Sequence, residues 1–121
     1  MQGMKVDLTD KVIYDLDGSV ITEPNQNGGE RPVTHSRIIS RVLAYGSQKS
    51  ADPVEDFDIA TRLYKDGVVD VSESTVERIE KMIQDAERYA PIAKAQIIRE
   101  LRTQRLKASD EAAKERAKKK S

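Results

Sequence analysis

Apolar and polar positions alternate at the start of the chain and fall into helical periods after residue 33. Lys11 to Glu23 predicts a β-hairpin, with apolar residues on both sides of Asp17-Gly18. Asp-Gly suits a type I′ turn, in which both central residues take positive φ. That turn sets Leu16 opposite Ser19, Tyr14 opposite Ile21 and Val12 opposite Glu23. One face then carries Val12, Tyr14, Leu16 and Ile21, and the other Ile13, Asp15, Val20 and Thr22; the first is the more apolar. Met4-Lys5-Val6-Asp7-Leu8 also alternates and predicts a strand or extended arm beside the hairpin. Pro24 to Pro32, with Gly28-Gly29 and three amide residues, has the composition of a flexible linker.

Helices are predicted at about 34–45, 53–66, 74–89 and 91–107. The first carries an apolar stripe of Ile38, Ile39, Val42 and Leu43, and the second one of Phe57, Ala60, Leu63 and Tyr64. The third repeats Val76, Ile79, Met82, Ile83 and Ala86 at threes and fours; the fourth runs through Ile92, Ala95, Ile98 and Leu101. Boundary residues agree with these spans. Gly46 to Ala51 is a polar loop, Asp52-Pro53 supplies an N-cap and an N1 proline, and Asp66-Gly67 a stop. Ser74-Thr75-Val76-Glu77 reads as a capping box, with Ser72 as the competing cap, and Ala90-Pro91 breaks the third helix from the fourth. Val68-Val69-Asp70-Val71 is β-prone and is expected to pair with the hairpin or tuck beneath it. The result is an α+β, mostly α fold: an N-terminal β-hairpin packed on about four short helices, with an extended basic C-terminal helix. Residues 1–107 form a single small domain. Residues 108–121, where only alanines alternate with charges, form an extension that either protrudes as a fraying helix or orders on a partner.

Composition narrows the picture. Of 121 residues, 35% are charged, and with one Phe, four Tyr and no Trp the core must be aliphatic. The absence of cysteine excludes disulfides and thiolate metal sites. No apolar run approaches the roughly 18 residues of a membrane span, and the N-terminus lacks a basic-then-apolar signal pattern, so a cytoplasmic location is expected. Residues 1–93 hold 11 Lys and Arg against 17 Asp and Glu, and residues 94–121 hold 10 against 4, so an acidic body of −6 carries a basic tail of +6.

Candidate chemistry is sparse. His35, the only histidine, stands in a first helical turn with no acidic or nucleophilic residue at a telling spacing and reads as a surface residue. Glu55, Asp56 and Asp58 load the first turns of a helix, where the dipole favours them without a metal. Gly28-Gly29 lacks the Lys-Ser/Thr of a phosphate-binding loop. No catalytic residue, metal ligand or cofactor is therefore assigned. Arg99, Arg102 and Arg105 recur every third residue beside Ile98 and Leu101; with Lys107, Lys118, Lys119 and Lys120 they form the candidate phosphate contacts of a nucleic-acid-binding protein. Against that alternative stand the acidic body, a pI of 6.6 and a tail without aromatic residues.

The run ending in Asp15-Leu16-Asp17-Gly18-Ser19 resembles the nucleophile motif of the haloacid dehalogenase-like phosphatases. That resemblance implies Asp15 as nucleophile and Asp17 as the group handling the leaving-group proton. The parallel sheet, early helix and late acidic magnesium pair of those enzymes have no counterpart in the pattern, so a phosphatase is the least favoured alternative. A second resemblance joins Asp15-Leu16-Asp17-Gly18 to Leu63-Tyr64-Lys65, Val69-Asp70-Val71-Ser72-Glu73, Ile79-Glu80-Lys81-Met82-Ile83, Tyr89-Ala90-Pro91 and Ala95-Gln96-Ile97. In order and spacing these residues resemble a family of small phage proteins over residues 5–101. The family implies a short strand-turn-strand start before a mostly helical body, and a viral protein in the cytoplasm of an infected bacterium. It implies no site residue. The expected function is a non-enzymatic accessory protein that binds a host or viral protein.

Overall fold

The computed structural model describes residues 3–46 and 52–119. Alternation places Met4 and Val6 of β1 (Gly3–Asp7) in the core and leaves Gly3, Lys5 and Asp7 exposed. The strand pairs not with the hairpin but with a later segment. It lies antiparallel to β4 (Val68–Ser72), in register from Gly3 opposite Ser72 to Asp7 opposite Val68. The apolar cross-strand pairs Met4–Val71 and Val6–Val69 explain the choice, since both face the helices. Gly67, in the left-handed region at φ 72°, lets the chain turn straight from helix to β4, and its carbonyl accepts from Leu8 N–H at 2.8 Å.

The expected hairpin forms, with a different turn and register. Asp15 N–H donates to Ser19 and Gly18 N–H to Asp15, closing a loop of Leu16, Asp17 and Gly18. Only Gly18 takes positive φ there, 87°, whereas a type I′ turn would impose it on Asp17 as well. The loop is therefore one residue longer than predicted, and Tyr14 pairs with Val20 instead of Ile21. A shift of one residue exchanges the two faces of a strand. Ile13 is fully buried, while Tyr14, Leu16 and Val20 face outward.

The segment expected to be a linker is a second hairpin of the same design. β2 (Thr22–Pro24) pairs antiparallel with β3 (Glu30–Pro32). Asn25 N–H donates to Gly29, Gly28 N–H donates to Asn25, and Gly28 supplies the positive φ of 90°. The two hairpins close on themselves: Ile13 N–H donates to Val33, Val33 N–H to Ile21 and Ile21 N–H to Ile13, each at 2.9 Å.

This ring leads directly into α1 (His35–Tyr45), whose N-cap Thr34 accepts from Arg37 N–H. Glu23 of β2 ties the hairpins to α1: Arg41 reaches both of its carboxylate oxygens at 3.1 and 3.2 Å, with Arg31 and Arg37 alongside. α2 (Pro53–Asp66) starts from the Asp52 cap and Pro53 as predicted. Its buried stripe is Asp56, Ile59, Ala60 and Leu63: Ala60 and Leu63 lie inside as predicted, whereas Phe57 and Tyr64 stand exposed. The buried Asp56 carboxylate accepts from Arg78 at 2.7 Å, which lets a charge displace an aromatic ring from the core side. The loop expected from Gly46 to Ala51 lies, beyond Gly46, outside the described residues.

α3 (Glu73–Asp85) takes Ser72 as its cap rather than Ser74, with Thr75 N–H donating to Ser72. It stops at Asp85, four residues short of the predicted Tyr89. α4 (Pro91–Lys119) has 29 residues and is about 43 Å long at 1.5 Å per residue. It continues past residue 107 without a break, so the extension is helical to Lys119. Its buried residues are Ala93, Ile97 and Leu101: of the expected Ile92, Ala95, Ile98 and Leu101 line, Leu101 is buried, Ile92 and Ile98 are half-buried and Ala95 is exposed, so the helix is rotated from that line.

Two glutamines set that rotation. Gln96 accepts from Tyr14 N–H at 2.9 Å and donates to the Tyr14 carbonyl at 2.7 Å. Gln104 makes the same pair with Asp7, at 2.9 and 2.7 Å. Both target residues sit where antiparallel pairing points N–H and C=O away from the neighbouring strand. Each side-chain amide thus replaces the missing strand at an open edge.

Gly28→Ala tests the loop design. The added Cβ would meet nothing within 4 Å, so only the positive φ resists it. Urea unfolding should show a loss of about 1 kcal/mol, against less than about 0.5 kcal/mol for Gly29→Ala next door.

Candidate functional site

Three places on this framework carry chemistry or unsatisfied surface. The first is the Asp-Leu-Asp-Gly-Ser turn. Asp17 Oδ1 accepts from Ser19 N–H at 2.9 Å and from its hydroxyl at 2.6 Å, and Asp15 Oδ1 accepts from Leu16 N–H at 2.7 Å. The Ser19 hydroxyl and amide bonds hold Asp17 below its ordinary carboxyl pKa. Asp15 and Asp17 thus brace a hairpin loop, and every strand pair among the described residues is antiparallel. What the turn displays is Leu16, 94% exposed, with the cross-strand pair Tyr14–Val20 beside it.

The second place is a cleft of about 480 Å³ between the hairpin and α4, lined by Lys11, Tyr14, His35, Gln96, Arg99 and Glu100 among others. His35, expected at the surface, is only 5% exposed. Its backbone N–H donates to Lys11, which draws the first turn of α1 under the hairpin. Among the described residues, His35 Nδ1 is buried with no hydrogen-bond partner. Burial lowers the His35 pKa below 6.5, against the opposing pull of Glu100 and a hydrogen bond to the Val12 backbone. Glu100 forms a 3.0 Å ion pair with Lys11. Burial raises its pKa, but the Lys11 and Gln104 hydrogen bonds and the Lys11 charge outweigh that and hold it below 4.5. The cleft sets the Lys11–Glu100 ion pair and the Gln96–Tyr14 hydrogen bonds around the buried imidazole.

The third place is the surface of the helices. Of the candidate phosphate contacts, Arg102 and Arg105 turn back to the buried carboxylate of Glu80, at 3.2 and 2.9 Å, and Arg105 also reaches Glu77 at 3.4 Å. Arg99 is exposed and lines the cleft beside His35; Lys107 lines a groove between β1 and α4. Lys118 and Lys119 belong to the last turn of α4, and Lys120 lies outside the described residues. The basic row is therefore not assembled as one continuous face. Glu55 and Asp56 point to Arg78, at 3.8 and 2.7 Å. No group of three or more His, Asp or Glu among the described residues could hold a metal ion. The periodicity of α2 did not reveal that Val54, Phe57 and Tyr64 face outward. Recognising Asp56 as the partner of Arg78 would have found it, because that pair claims the buried face.

No helix among the described residues is long and apolar enough to cross a membrane. Comparison with protein-family models, curated proteins and solved structures finds no match to this chain.

The buried imidazole makes stability depend on pH. A histidine whose folded pKa is lowered binds a proton more readily when unfolded, so its contribution is complete above 6.5 and lost as pH falls through that value toward the folded pKa. The urea midpoint should drop between about pH 7.5 and pH 5, before most carboxylates titrate. His35→Gln should flatten that drop, and an unchanged slope would remove His35 as its source.

Proposed function

We propose that the chain is a small, non-enzymatic accessory protein of the phage type that acts by docking onto a host or viral protein through its hairpin tip. One observation carries the reading: Leu16 stands 94% exposed at the apex of a braced loop, flanked by exposed Tyr14 and Val20. Burying a leucine is worth roughly 1.5–3 kcal/mol. The hydrogen bonds from Ser19 to Asp17 order the loop beforehand, so little further freedom is lost on binding. Asp15 and Asp17 border the leucine with negative charge, and the complementary partner offers an apolar pocket with a basic rim. The phage assignment draws on the likeness of order and spacing over residues 5–101, and the assignment of a partner on this exposed tip.

The alternative, nucleic-acid binding by α4, draws on Arg99 and Lys107. It is weakened by the pairing of Arg102 and Arg105 with Glu80, which takes two charges out of the row.

The test is capture from nuclease-treated bacterial lysate by tagged full-length protein, compared with Leu16→Ser. A specific protein retained by the parent chain should be lost by the variant. The variant's thermal midpoint should stay unchanged, because so exposed a side chain adds less than about 0.5 kcal/mol to stability. Capture indifferent to Leu16→Ser would refute the tip as the docking point. Capture that requires intact nucleic acid and falls with Arg99→Ala and Lys107→Ala would replace this reading with the alternative.

A further inference from the structure

We propose that α2 is a self-association surface, on which a second copy of this chain lays its own α2 antiparallel. This stands apart from the hairpin reading and uses a different element. The inner face of α2 is occupied by Asp56, Ile59, Ala60 and Leu63. On the outer face Val54, Phe57, Thr61 and Tyr64 follow one another at steps of three, four and three, the spacing of a seam between two packed helices. Val54 is 71% exposed and Phe57 and Tyr64 are each 64% exposed. Phe57 is the only phenylalanine in the chain. Thr61, the polar member of the seam, already donates its hydroxyl to the Phe57 carbonyl at 2.8 Å, so covering it strands no donor.

The flanking charges select the occupant. Asp58 directly follows Phe57 and Lys65 directly follows Tyr64, on the same side of the seam. Both are exposed, and neither has an ion-pair partner among the described residues. An antiparallel second α2, related by a two-fold axis, stacks Val54 against Tyr64 and Phe57 against Thr61. It brings Asp58 of each copy to Lys65 of the other, so one contact forms twice. A parallel partner would set these charges beside Pro53 and Ala60, with no counter-charge. The helix has 14 residues, or about 21 Å, and its single seam offers less than the roughly 800 Å² per partner of a standard interface. The dimer is therefore weak and forms with rising concentration.

Sedimentation equilibrium of the full chain from about 10 μM to 1 mM tests this, a range spanning weak affinities. The mass should climb from the 13.6 kDa monomer toward twice that value. Phe57→Asp and, independently, Tyr64→Asp should hold it at the monomer, with circular dichroism confirming that each variant is folded. Asp58→Lys should weaken association about fivefold, and the double variant Asp58→Lys/Lys65→Asp should restore it. Leu16→Ser should leave it unchanged. A monomer at every concentration, or association that survives Phe57→Asp, would overturn the proposal; failure of the charge swap to rescue would overturn the antiparallel register.

Discussion

The ring of backbone hydrogen bonds through Ile13, Val33 and Ile21 is the constraint on which the N-terminal half depends. Each of the three residues donates to one of the others and accepts from the remaining one. No segment can slide without breaking two bonds and leaving backbone groups unpaired beside the core. The ring sends Ile13 inward, where it is fully buried, and by the period of two it sends Tyr14 outward. It also delivers Thr34 to the start of α1, so the hairpins and the helix bundle share one fixed junction. The display of Leu16 follows from the same geometry.

A second set of interactions attaches the long C-terminal helix. Gln96 and Gln104 lie eight residues apart on one side of α4, and each binds both backbone groups of a strand residue. Open strand edges invite pairing with other chains, and here two of those edge positions are covered by side chains of the same molecule. Glu80 then fastens α4 to α3 through Arg102 and Arg105. Two of the three arginines that look like a basic surface in the primary structure, Arg102 and Arg105, pair back onto α3. The positive charge of the tail is real, but its inner portion is matched within the fold.

Apart from Tyr45 and Leu106, the exposed large apolar residues among those described sit on two separate elements, the hairpin and the outer side of α2. Both present apolar residues that the core had no room for: Leu16 because the loop is one residue longer than a type I′ turn, Phe57 because Asp56 and Arg78 hold the inner face. The two proposed contacts, at the tip and on the helix face, use separate residues and are compatible in one molecule.

Local chemistry was sufficient for the first two helices. Thr34, Asp52-Pro53 and Gly67 mark their ends through contacts within a few residues, and the predicted bounds of α1 and α2 match the structure within a residue. The α+β composition and the hairpin at Asp17-Gly18 were legible for the same reason. The candidate sites were much less so. Which face of the hairpin is buried, the pairing of β1 with β4, the burial of His35 and the rotation of α4 all depend on residues far apart in the chain, such as Asp7 with Gln104. Periodicity states that a face exists; it does not say which of two adequate faces finds a partner. Only the tertiary fold decides that, because an ion pair such as Asp56–Arg78 or an amide reaching an open strand edge changes the balance once both partners are in place.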